Sequence, residues 1–199
     1  MNKIKLNLSA LPIAIEEATE LLNHAIQIDE LIQTILEQEE NQPPIGKIIC
    51  ANILIGLSIE IYLKAFMIAG RENGIKKGHE LIQLYKEFPP FLKTAIENKF
   101  KNLEKKETLM IEVGCKTSIE EPQKPKTIPF DKIDFNDFNT CLEGISNIFV
   151  DSRYYFENIN TEKWSFIRYH FESAKSIARS LKFVLNEFRE GKFKDIARN

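Results

Sequence analysis

Residues 45–70 read IGKIICANILIGLSIEIYLKAFMIAG. On a helix of about 3.6 residues per turn, their apolar side chains reach every face, the pattern of a helix buried among other helices. The stretch is long enough to cross a membrane. Lys47, Glu60 and Lys64 interrupt it, so the reading is a central core helix and no membrane contact is expected. Glu60 and Lys64 stand one turn apart, rotated by only about 40° from each other. At the surface such a pair contributes about 0.3–0.5 kcal/mol. In the interior an unpaired charge costs several kcal/mol, so the two must meet each other or a further polar group.

Working outward, a preceding helix starts near Pro12, and Leu11, Ala14, Ala18, Leu21, Ala25, Ile28, Ile32 and Ile35 recur in steps of three and four, one apolar stripe widened by Leu22, Leu31 and Leu36. Asn41, Gln42, Pro43 and Pro44 end it. After the central helix, Gly70 is the stop, a loop covers 71–78, and a short helix spans 79–88 before Pro89 and Pro90. Another helix is expected over 90–106. Residues 107–132 contain Pro122, Pro125 and Pro129, which exclude a continuous helix. That segment reads as an irregular arm or lid, in which the alternation of Leu109, Ile111 and Val113 suggests a short strand or hairpin. Helical signals resume over 134–150. The last helix is expected from about Thr161, carrying Trp164, Ile167, Phe171, Ala174, Ala178, Leu181, Leu185 and Phe188, with an Arg168–Glu172 pair on its flank. The fold class is therefore all-α: a single domain over 1–199, an up-and-down bundle of four to five main helices.

With 43% hydrophobic and 28% charged residues, the chain is composed to bury a core rather than to stay disordered. Its net charge of −2 excludes a whole-molecule field for nucleic acid or membrane. Residues 1–46 nevertheless hold two Lys/Arg against eight Asp/Glu, and residues 153–199 ten against six. The plain reading is two ends that pack side by side; the alternative is a nucleic-acid surface on the basic end. Cys50, Cys115 and Cys141 form neither a disulfide framework nor a zinc-ligand spacing, and Cys50 reads as core. Unpaired cysteines, with an apolar N-terminal stretch broken at Glu16 and Glu17, give an expected cytoplasmic location without a signal peptide.

Few residues offer chemistry. His79, in Gly78–His79–Glu80–Leu81, is a candidate acid/base group or ligand contact if it lies beside Glu60 and Lys64; otherwise it is a structural hydrogen-bonding residue. Arg153 stands among aromatics in Arg153–Tyr154–Tyr155–Phe156–Glu157, as a bidentate partner for a buried carboxylate or as a cation–π brace. His24 and His170 flank apolar stripes and read as satisfied or exposed side chains. No metal site, cofactor or nucleophile motif is expected: there is no GxSxG, P-loop or GxGxxG.

The order of these strings resembles the HEPN superfamily of prokaryotic helical-bundle proteins. The carriers are Glu60 and Lys64 in Leu57–Ser58–Ile59–Glu60–Ile61–Tyr62–Leu63–Lys64, then Gly78–His79–Glu80–Leu81, then Arg153–Tyr154–Tyr155–Phe156–Glu157, across roughly residues 45–190. The resemblance implies a four- or five-helix bundle, often dimeric, in conflict systems or beside nucleotidyltransferases. It also implies a polar centre of Glu60, Lys64, His79, Arg153, Tyr154 and Glu157. Many such proteins are ribonucleases that use an arginine followed, after four to six residues, by a histidine. Here Arg71 and His79 are separated by seven, and Arg153 and Arg168 have no histidine at that spacing.

The leading expectation is accordingly a non-catalytic HEPN-like module of a defence or toxin–antitoxin type system. It would act as a homodimer or on a partner protein, with RNA or a nucleotide among its ligands. One alternative is a metal-independent ribonuclease with His79 as acid/base and Arg153 or Lys64 stabilising the phosphorane. Another is a structural or immunity-type protein whose polar cluster fixes helix register.

Overall fold

A computed structural model describes residues 11–38, 44–70, 78–104, 111–115, 134–153 and 165–193. In chain order these form α1 (Leu11–Glu37), α2 (Ile45–Gly70), α3 (Leu81–Lys86), α4 (Pro90–Lys101), β1 (Ile111–Cys115), α5 (Phe138–Gly144), α6 (Ile148–Arg153), β2 (Ser165–Tyr169) and α7 (Phe171–Arg189). The protein is an all-α helical bundle carrying one two-stranded antiparallel ladder, β1 on β2, in register Ile111↔Tyr169 to Cys115↔Ser165.

Helix α2 is the axis. It packs on α1, α3, α6, α7 and β2, as its all-round apolar surface requires. It is long and apolar enough to span a membrane, and 67% of that apolar window is buried inside the protein. Helices α1 and α2 are each about 40 Å long. The seven residues between them reach only about 25 Å when extended, so the two helices in contact must run antiparallel. Their seam is tied by the Thr19 and Tyr62 hydroxyls at 2.9 Å and by Ser58 Oγ, which donates to the Ala18 carbonyl at 2.6 Å.

Several boundaries differ from the sequence reading. The buried stripe of α1 is Leu11, Ile15, Ala18, Leu22, Ala25 and Ile32, so Ile15 joins it and Leu22 is buried, while Leu21, Ile28 and Ile35 are only half-buried. The segment 165–169 is a strand, and the last helix begins at Phe171. Its five residues, Ser-Phe-Ile-Arg-Tyr, are rich in β-formers, and over so short a window apolar spacing does not separate the two periods. Arg168 thus lies on β2, and Glu172 pairs with Lys175. The helical segment 134–150 is two helices, α5 and α6, divided by a turn at 145–147. Asp137 caps α5, its Oδ2 accepting from Thr140 N at 2.7 Å. Cys50 is exposed rather than in the core, on the face of α2 that it shares with the exposed Gly46 and Lys47. The expected strand near 109–113 is present as β1; the rest of the 107–132 arm lies outside the described residues.

Candidate functional site

Gly56 lets a second helix approach α2 one turn before Glu60. A Cβ there would stand 2.9 Å from Ile148 Cγ2, 3.0 Å from Phe149 Cβ and 3.2 Å from Phe149 N. Helix α6 therefore rests almost backbone to backbone on α2 and brings Phe149 over the next turn. Glu60 lies in that corner and is only 3% exposed.

Three contacts close around its carboxylate. Lys64 Nζ donates to Oε1 at 2.5 Å, from the position one turn on that the sequence spacing predicts. His79 Nδ1 lies 3.0 Å from Oε1 and 2.9 Å from Oε2. An ionised carboxylate only accepts, so Nδ1 carries the donated proton and the ring is held in one orientation. The imidazole side chain is 55% exposed and its centroid is 5.7 Å from that of Phe149. Its Nδ1 edge thus faces the interior while much of the ring meets water. The Lys64 side chain is 23% exposed, which gives the buried negative charge a solvated counterion.

The loop that delivers His79 is fixed at both sides. Gly78 has φ of 131°, a conformation that a side chain would strain, so glycine is required at that bend. Immediately after His79, Leu81 N donates to the Ser146 carbonyl at 3.1 Å and Ile82 N to Ser146 Oγ at 3.0 Å. Ser146 lies in the α5–α6 turn and satisfies the first donors of α3. Glu80, the residue in the N-cap position, makes no side-chain cap. Leu81 itself is fully buried. Helix α3 is therefore docked through His79 to α2 and through Ser146 to the α5–α6 turn.

Glu60, Lys64 and His79 meet, as their order along the chain suggested. His79 stands two residues before the helix rather than opening it. Arg153 is exposed in the last turn of α6, and the partners that close on Glu60 are Lys64 and His79. Tyr154 and Glu157 lie outside the described residues. Sequence reasoning missed Gly56, Ser146 and Phe149. A helix-interior glycine in an otherwise apolar helix was the one signal available for them.

Other polar groups serve packing. Tyr169, fully buried, donates its hydroxyl to Asp29 Oδ1, which Gln33 Nε2 also reaches at 3.1 Å. Burial, followed by that carboxylate, pushes the Tyr169 phenol far above its ordinary range. His170 is buried and stacked on Phe135, with centroids 4.2 Å apart and planes 4° from parallel. Desolvation lowers its pKa to about 4, so the ring is neutral at physiological pH. Among the described residues, no group of three or more His, Cys, Asp or Glu is arranged to hold a metal ion. Compared with known proteins, the chain matches no family model, no curated protein and no solved structure.

Proposed function

We propose that the chain is a non-catalytic, HEPN-like binding module, in which Glu60, Lys64 and His79 form a joint that sets the position of α3. The observation that supports this reading most is the engagement of both Glu60 oxygens. A buried carboxylate held by Lys64 and His79 is committed to joining elements, and Ser146 repeats that role from the α5–α6 turn. The biological setting that goes with the resemblance is a prokaryotic defence or toxin–antitoxin type system, acting through a homodimer or a partner protein. A cytoplasmic location belongs to the same proposal.

A second reading rests on the exposure of His79. A carboxylate that orients Nδ1 leaves Nε2 available as a general acid or base, and Lys64 stands beside it as a cation for a developing phosphorane. That is the outline of a metal-independent ribonuclease.

Expression of the wild-type chain beside His79→Ala and Lys64→Ala, with RNA integrity and growth as readouts, separates the two. The binding-module reading requires intact RNA and normal growth in all three. RNA cleavage that persists in chelator and disappears in a folded His79→Ala protein overturns it in favour of the ribonuclease.

A further inference from the structure

Helix α1 carries a second apolar seam that the core covers only in part, with Ile28 packed against the core. Ile13, Leu21, Ile28, Leu31 and Ile35 cluster on a face about 120° round from the core stripe, at 100° per residue. Ile13 is 64% exposed and Leu31 54%, and the other three are half-buried. From Ile13 to Ile35 the seam runs about 33 Å, six turns of helix. A continuous apolar row of this length, half-covered at Leu21, Ile28 and Ile35 and open to solvent at Ile13 and Leu31, marks an interaction surface.

Charge decides what fits there. Helix α1 has six carboxylates and no Lys or Arg along its 27 residues. Glu17 falls within the seam and Glu20 beside it, with Glu16 and Glu30 farther round. Two copies of α1 laid together would set carboxylates against carboxylates with no cation to answer them, so self-pairing through this face is disfavoured. An anionic lipid surface is repelled for the same reason. We infer that the outer face of α1 docks an amphipathic helix of a partner protein, one with an apolar stripe flanked by Lys and Arg. Long basic side chains cover the edges of the apolar strip while their charged ends reach the glutamates. The site is distinct from Glu60 and stands whichever way that centre functions.

The test uses the full chain and a fluorescein-labelled helical peptide of about 21 residues, three heptads with leucine at a and d and lysine elsewhere. A second peptide carries glutamate in place of lysine. Fluorescence anisotropy should show saturable binding of the lysine peptide, weakened as salt rises from about 0.05 to 0.5 M, and no binding of the glutamate peptide. Ile13→Asn and Leu31→Asn change exposed side chains, so the fold should persist by circular dichroism, and each should weaken binding at least about tenfold. Glu17→Lys/Glu20→Lys should do the same and admit the glutamate peptide. Phe183→Asn, exposed on α7, should bind as wild type does.

Absence of binding at about 1 mM peptide overturns the inference, as does binding indifferent to Ile13→Asn and Leu31→Asn, which would be charge attraction alone. Self-association in sedimentation that Leu31→Asn abolishes would also overturn it, since the occupant would then be a second copy.

Discussion

The close approach of α6 to α2 at Gly56 gives a sharp stability prediction. Gly56 lies inside α2, where exchanging glycine for alanine normally stabilises a helix by about 1 kcal/mol. Here the new methyl would meet Ile148 Cγ2 at 2.9 Å and Phe149 Cβ and N at 3.0 and 3.2 Å. Carbon atoms settle about 3.5–4.0 Å apart, so several tenths of an ångström must be found. Ile148 can rotate a terminal methyl, but Phe149 N and Cβ move only if α6 moves. Overpacking of this kind costs about 1–3 kcal/mol, which outweighs the gain in helix propensity and leaves Gly56→Ala about 1 kcal/mol less stable. Gly46 supplies the internal comparison. It lies in the first turn of the same helix and a Cβ there meets nothing, so Gly46→Ala should be neutral or stabilising. Urea unfolding at constant pH reads both variants, and in a chain this size 1 kcal/mol shifts the thermal midpoint by about 2–4 °C. If Gly56→Ala is as stable as Gly46→Ala, α6 does not rest on α2 at that point, and the placement of Phe149 over His79 fails with it.

Two further predictions concern buried polar groups. Tyr169→Phe removes a hydroxyl donated to the Asp29 carboxylate and should cost about 1.5–3 kcal/mol in urea unfolding, since hydrogen bonds to charged groups are the stronger ones; a loss below about 0.5 kcal/mol would refute a buried bond. His170, with a folded pKa of about 4 against about 6.5 in the unfolded chain, refuses a proton that the unfolded chain accepts. Its contribution is therefore complete above pH 6.5 and lost as pH falls towards 4, by up to about 3 kcal/mol. His170→Phe retains a ring against Phe135, and the wild-type-minus-variant difference should shrink across that window; a constant difference would refute the neutral buried imidazole.

How much of this was legible depends on whether the deciding partner lies nearby in the chain. The central helix could be read because Lys47, Glu60 and Lys64 are the only charged residues in a stretch that is otherwise apolar but for Asn52 and Ser58. The Glu60–Lys64 pair could be read because i and i+4 are neighbours on any helix. His79 was within reach because one loop separates it from that helix. By contrast, Ser146 caps a helix 64 residues away from it in sequence, and Tyr169 meets an aspartate 140 residues before it. No local pattern encodes either pairing. The strand at 165–169 was misread for a related reason. Its partner, β1, is distant in sequence, while the apolar spacing of α7 runs smoothly back through Ile167 into the strand.

Helix α2 also explains why the polar joint and the α1 seam are independent features. Ser58 and Tyr62, which bond to α1, lie two residues on either side of Glu60. A two-residue step turns a helix by about 200°, so Glu60 points away from α1. The joint thus gathers α3 and α6 on one side of the axis, while α1 is held on the other by Thr19 and the Ala18 carbonyl. A buried ion pair is weak evidence for stability, because desolvation offsets much of the attraction. Its value here is positional. An apolar residue at position 60 would pack in the same corner but would give His79 no particular place. The carboxylate fixes the ring by two contacts, and through Gly78 and Leu81 it fixes where α3 begins. Removing it should therefore loosen α3 without disturbing the α1–α2 pair or the seam that faces outward from α1.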